Sequence, residues 1–302
     1  MLNDLARKYF GLFTVAGAVL GLLLPSLGLL LQPFILAALF VLMFYATAKI
    51  DKGRLMGSLK KPGLVLLGLA LIYIAVPLVL YSLAILGKLP DETIFGVVFA
   101  ALAPTIVSAP FFVSMIKGDV EYSYILSVIS TLLAPVAIPS LLFLLMGKAV
   151  AMPLSSIAST MAALIILPAV CVLLVRKLLP DLMTRLEENE SAVTGIDFTV
   201  FIWAIIAANA SVILSFSPLI AVLIVLAVVQ EFGFYFLTRF VSKRFLPEGI
   251  SKALALCVGV KNTVLTAGIA LLFSSSVALP SGIVVLAAVP MFVLIGWLKE
   301  KM

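Results

Sequence analysis

The sequence predicts an all-α membrane protein of ten transmembrane helices, built as two inverted five-helix repeats with broken helices at the fourth and ninth places. Three observations predict it. The first is composition: of 302 residues, 64% are hydrophobic and 11% charged, with a mean hydropathy of +1.31, against an apolar share of about half in soluble domains. The second is length: apolar runs of about 20 residues recur along the chain, each able to cross a hydrocarbon core about 30 Å thick as a helix. Helices are required because lipid offers no partner to bare backbone polar groups. The third is the alternation of basic residues between the ends of these runs.

In chain order, Arg7 and Lys8 precede helix one, about Phe10 to Leu24. It has no small-residue cleavage signal after it and reads as a retained helix rather than a signal peptide. Pro25 and Ser26 turn into helix two, about Gln32 to Ala48, followed by the basic loop Lys49 to Lys61. Helix three covers Gly63 to Leu86, helix four Thr93 to Ile116 with Pro104 and Pro110, and helix five Val120 to Met146 with Pro135 and Pro139. Helix six is about Met152 to Val175. The hydrophilic stretch Arg176 to Asp197 follows, in which Glu187, Glu188 and Glu190 read as a solvated loop and Asp197 as an acid suited to a helix entrance. Helices seven to ten are about Phe198 to Leu214, Pro218 to Leu237, Ser251 to Phe273 and Ser281 to Leu298.

With the N-terminus inside, cytoplasmic segments hold 17 of the 20 Lys and Arg residues, outer loops hold Lys88 and Lys148, and Lys261 is left within a span. That asymmetry places both termini in the cytoplasm, in a plasma (inner) membrane. It also makes the net charge of +6 a topological feature, not a nucleic-acid footprint. The chain has no histidine, which removes His metal sites, His proton relays and Ser-His-Asp chemistry; no cofactor is expected. Cys171 and Cys257 lie in apolar segments and read as buried thiols.

Sliding the chain by 155 residues sets Ala103-Pro104 against Val258-Gly259 and Pro135 against Pro290. Since five is odd, the second half enters the membrane inverted, the plan of many secondary transporters, in which discontinuous helices present unpaired backbone groups to substrate. Helix four carries breakers around Thr105 and Ser108; helix nine carries Gly259, then Lys261, Asn262 and Thr263. A proline kink patched by neighbouring hydroxyls is the plainer alternative. Gly17 and Gly21 read as a packing pair; Asn209 and Thr47 could face the cavity, with interhelical hydrogen bonding the plainer explanation.

Lys261 cannot snorkel, because nine residues separate it from Lys252, a rise of ~13 Å that exceeds the side chain's reach. Glu231 lies at a similar depth on the antiparallel helix eight, ~12 Å in from Arg239, and is its candidate partner. The pair is either purely structural or one that titrates or meets substrate, and it would allow proton coupling without histidine.

The stretches GDVEYSYILSVISTLLAPVAIP, residues 118–139, and GVKNTVLTAGIA, residues 259–270, resemble the bile acid:sodium symporter family and its bacterial and archaeal relatives. In helix count and spacing the resemblance spans the chain; its specific part lies in helices four, five and nine, above all STLLAP from Ser130 to Pro135. It implies a carrier of small organic anions such as bile salts, pantoate and other carboxylates. It also implies a division into panel helices one and two (1–60) and six and seven (148–215) and core helices three to five (61–147) and eight to ten (216–302), with helices four and nine crossing. Sodium-coupled members carry glutamate where Cys257 stands, glutamine at Lys261, a Ser-Asn pair at Ala109 and Pro110, and glutamine at Ile72, whereas Ser123 and Ser127 keep hydroxyls at sodium-ligand positions. A hard cation needs several oxygens. The chain is therefore expected to work without sodium, Lys261 standing in for the ion, with protons as the candidate coupling ion. Its candidate site is Lys261, Glu231, Asn262, Thr263, Cys257, Thr105, Ser108, Ser123 and Ser127, and its partners are a small organic anion and the bilayer. The alternatives are a sodium symporter using backbone carbonyls and the hydroxyls of Ser123, Ser127 and Thr263, and, from other classes, a membrane-embedded enzyme or a sensor. Against an enzyme stands the lack of an Asp pair, a His or a Gly-x-Ser-x-Gly motif.

Overall fold

The structure is a computed structural model that describes residues 10–49, 62–147 and 153–301. Arg7, Lys8, most of the basic loop after helix two, and Lys148 lie outside the described residues. Those described are almost entirely helical. Numbered in chain order, the helices are α1 (Phe10–Leu23), α2 (Pro25–Ala48), α3 (Pro62–Leu86), α4 (Asp91–Ala101), α5 (Ala109–Met115), α6 (Val120–Met146) and α7 (Leu154–Leu178). They continue with α8 (Pro180–Glu188), α9 (Glu190–Ala208), α10 (Ala210–Leu214), α11 (Pro218–Ser242), α12 (Glu248–Gly259), α13 (Thr263–Leu271) and α14 (Ser275–Lys301). Among the described residues seven helices are long and apolar enough to cross a membrane: α2, α3, α6, α7, α9, α11 and the stretch Ser275–Val293 of α14. The chain is a multi-pass membrane protein.

Several boundaries differ from the expected ones. Helix two begins at Pro25, because proline suits a first helical turn, and Gln32–Phe34 is a 3₁₀ turn within it. The fourth segment begins at Asp91, where Asp91 and Glu92 favour the positive end of the helix dipole. The tenth begins at Ser275 and runs through Pro280. A Cβ on Gly96 would come within 2.9 Å of the Pro280 ring and 2.6 Å of Val277 O, so this glycine lets α14 approach α4.

The acidic stretch before helix seven is not a loop. Glu187 and Glu188 end the amphipathic helix α8, whose Met183 packs into a cluster with Phe44, Tyr45, Ala48 and Val172, and Glu190 opens α9. Arg176 donates to Ala48 O and to Glu187 at 3.0 Å, and Lys49 pairs with Glu190. Glu187 and Glu188 are exposed to solvent as expected, but on a helix rather than a loop. Asp197 stands inside α9 rather than at its entrance, with a buried Oδ2 that has no hydrogen-bond partner among the described residues. The Asn209 amide donates to Ile205 O of its own helix at 3.3 Å, not across helices.

The most extensive helix pairing among the described residues joins α1 to α9. Gly17 and Gly21 make it possible: a Cβ at Gly17 would sit 2.6 Å from Thr199 O, and one at Gly21 would sit 2.7 Å from Ile206 Cβ. Small residues that admit close backbones are the usual means of helix association in lipid. Gly21→Ile is expected to cost about 2 kcal/mol by overpacking, seen as a lower melting midpoint in detergent; an unchanged midpoint would show that α1 docks by other contacts.

α2 lies against α7 and α9, α11 against α12, and α14 against α4, α11 and α13. α3 and α11 match closely: each has 25 residues, opens on proline and carries a five-residue π-helical turn, Leu71–Ala75 and Val229–Gly233. α6 and α14 both have 27 residues and two interior prolines.

Candidate functional site

The fourth and ninth segments are both broken, as the sequence predicts. α4 stops at Ala101 because Pro104 has no N–H to continue the ladder, and α5 resumes at Ala109 with Pro110 in its first turn. α12 stops at Gly259, Val260 is extended, and α13 resumes at Thr263. Within lipid the free backbone groups at such breaks must find partners. They find each other: Thr105 and Lys261 form an isolated antiparallel bridge, Asn262 N donates to Pro104 O at 2.7 Å, and Ile106 N donates to Val260 O at 3.2 Å. Thr105 Oγ1 donates to Cys257 O at 2.8 Å, and Thr105 N to Ser130 Oγ at 3.2 Å. The two breaks are one joint.

Lys261 is 3% exposed, and its ammonium turns away from water onto two carbonyls, Ile72 O at 2.7 Å and Ala101 O at 2.9 Å. Both carbonyls lack the usual main-chain donor for a local reason. In a continuing helix Ala101 O would take Thr105 N–H, which has gone to Ser130. At Ile72 the π turn hands Val76 N–H to Leu71 O, and the residue after it is Pro77, which has none to give. Two orphaned carbonyls, one at the negative end of the α4 dipole, make a cation seat, and Lys261 fills it from a tether.

The expected contact between Lys261 and Glu231 is absent. Glu231 is fully buried in the π turn of α11, and among the described residues no ion pair joins it to Lys261 and neither carboxylate oxygen has a hydrogen-bond partner. The two still act on each other electrostatically, and the Lys261 main-chain N–H faces the carboxylate outside hydrogen-bond geometry. The reason is competition: the carbonyls of Ile72 and Ala101 hold the ammonium.

The remaining candidates divide. Cys257 is fully buried with Sγ 3.9 Å from Ser123 O, and the Ser127 hydroxyl donates to Ile106 O at 3.1 Å, so both belong to the joint. Ser123 Oγ donates to Val120 O of its own helix. Asn262 and Thr263 are buried at the start of α13, and the Asn262 side chain does not cap it. Ser108 stands at the edge of the break just before α5, without a capping hydrogen bond. Sequence reasoning missed Ser130, which also accepts through its carbonyl from Tyr73 OH, and the carbonyls of Ile72 and Ala101. Pro77, inside an apolar helix, was the available signal for the first of these. It missed Gln230 too, whose buried Nε2 has no partner among the described residues, beside a cavity of about 10 Å³ that Leu80, Val97, Ala100, Pro280 and Val284 help to line.

Two broken helices joined through their free backbone groups inside an apolar bundle, with a cation seat at the joint, define a membrane carrier rather than an enzyme. The family model described as the Sodium Bile acid symporter family matches residues 36–216, and the chain belongs to that family. It is 26% identical over 285 residues to a Bacillus subtilis (strain 168) protein named "Uncharacterized sodium-dependent transporter YocS", covering 93% of this chain and 88% of that one.

Proposed function

We propose that this protein is a secondary carrier of small organic anions that works by alternating access without sodium, Lys261 supplying the positive charge that sodium brings elsewhere in the family. The observation that carries the reading is the seat of Lys261 Nζ on Ile72 O and Ala101 O, two carbonyls with the chemistry of a hard-cation site. α1, α2, α7 and α9 act as the panel, and α3 to α6 with α11 to α14 as the core that moves against it. The equal lengths and π turns of α3 and α11 support two inverted five-helix halves making ten spans. Both termini face the cytoplasm and the host membrane is the plasma membrane, supported by the distribution of Lys and Arg. The anion is drawn to the start of α13, where free N–H groups and the dipole favour negative charge beside Asn262 and Thr263.

A sodium-coupled symporter is the second reading, favoured by the family's description and by the name of the Bacillus relative. Its ligands would be the hydroxyls of Ser123, Ser127 and Thr263 with backbone carbonyls, the two best of which Lys261 occupies. Thermal melting of the purified protein in sodium against potassium chloride separates the two. Equal midpoints are expected; stabilisation by several degrees in sodium would establish the symporter.

A further inference from the structure

Glu231 is the most isolated acid at the joint. It is 0% exposed, among the described residues neither oxygen has a hydrogen-bond partner in full geometry although the Lys261 main-chain N–H faces the carboxylate, and the charged group acting on it is Lys261, whose Nζ is held by Ile72 O and Ala101 O. Every other titratable group on the packed elements is occupied or remote. On α11 itself Arg239 lies two turns away and binds Ser251 and Glu248, and Tyr235 follows by one turn. On α12 Lys252 and Glu248 pair with each other, and Cys257 faces Ser123 O. On α3 Tyr73 donates to Ser130 O and Tyr81, two turns further along, is partly exposed, and α14 between residues 275 and 293 carries no titratable side chain.

A carboxylate ion without a donor in a dry interior costs far more than a neutral acid without one. We propose that Glu231 is the proton-carrying group of this carrier, a neutral acid in the conformation seen here, which gives up its proton when the joint opens and Lys261 leaves its carbonyls. The step balances: the carboxylic O–H bond breaks heterolytically, the proton passes to water entering the opened joint, and the freed ammonium forms a contact pair with the new carboxylate. The unit thus has two arrangements of equal economy, Lys261 on carbonyls with a protonated Glu231, or Lys261 on an ionised Glu231, which differ by one proton. The π turn beneath Glu231 suits such a change, because it is the local irregularity in the α11 ladder.

The inference rests on the carrier reading above and is tested apart from it. Infrared absorption of the sodium-free, lipid-reconstituted protein at neutral pH distinguishes a carboxylic acid from a carboxylate by its carbonyl stretch. Wild type is expected to show a carboxylic-acid band that moves in D₂O and is lost in Glu231→Gln. An absent band in wild type, or one that survives unchanged in Glu231→Gln, overturns the proposal; in the second case the acid is another, such as Asp197. If Glu231→Gln fails to fold, Glu231→Asp is expected to shift the band, and an unshifted band again overturns it. Sodium-dependent melting would sink the sodium-free reading without touching this band, and a missing band would leave that reading standing.

Discussion

Lys261→Met is expected to lose transport and about 3 kcal/mol of stability, and Lys261→Gln is expected to gain a response to sodium that the proposed sodium-free carrier would not show. The first half follows from the two hydrogen bonds that Lys261 Nζ donates to carbonyls with no other donor. Hydrogen bonds from charged groups contribute ~1.5–3 kcal/mol each, and a buried acceptor left bare costs about 1–3 kcal/mol. Methionine fills the volume and satisfies neither oxygen, so the joint between α3, α4 and α12 loosens. The second half follows from the carbonyls themselves. A shorter carboxamide leaves Ile72 O and Ala101 O free to face a monovalent cation and adds an oxygen of its own, at the position where the resemblance places glutamine in sodium-coupled members. Melting midpoints of wild type and both variants in sodium and in potassium chloride give the test. A methionine variant as stable as wild type would show that the seat contributes little, and a glutamine variant indifferent to sodium would show that other ligands are missing as well.

Much of this was legible in the residues. Pro104, Pro110 and Gly259 announced both helix breaks, because proline removes a donor and glycine ends a helix cheaply, and these effects act within one turn. Gly17 and Gly21 announced a close packing contact on α1, though not that α9 is its partner. The partner of Lys261 was not legible. Charge bookkeeping by depth selects Glu231, the acid at the right height, but cannot see that Pro77 and a π turn strip a carbonyl of its donor on another helix. Main-chain acceptors have no signature in composition, so a cation seat made of carbonyls reads as plain apolar sequence. The stretch from Arg176 to Asp197 misled in the other direction. Its charges suggested a solvated loop; Glu187 is exposed, but on helix α8 and paired with Arg176, which also caps α2 at Ala48 O, while Lys49 pairs with Glu190.

Gly268→Leu carries the other large expected effect, because this glycine sits where the proposed moving parts touch. α13 reaches Leu39 of α2 and Phe201 of α9 through it: a Cβ at Gly268 would lie 2.6 Å from Leu39 Cδ1 and 2.8 Å from Phe201 Cε2. Leu39 and Phe201 are themselves 0% exposed, so neither has open space to retreat into. Overpacking at such a position costs about 1–3 kcal/mol when both sides must keep their places. If the two sets of helices are separable bodies, the cheaper response is for α13 to part from α2 and α9 as a unit, which leaves each body intact and removes the closed arrangement from the cycle. Hydrogen–deuterium exchange then rises together in peptides of α2 around Leu39 and α9 around Phe201, with a modest loss in melting midpoint and a transport rate reduced at least about tenfold, the factor that 1.4 kcal/mol represents. Exchange that rises in α13 alone would mean that the wedge is absorbed locally, and that the surface between α13 and its neighbours is a fixed packing contact rather than a sliding one.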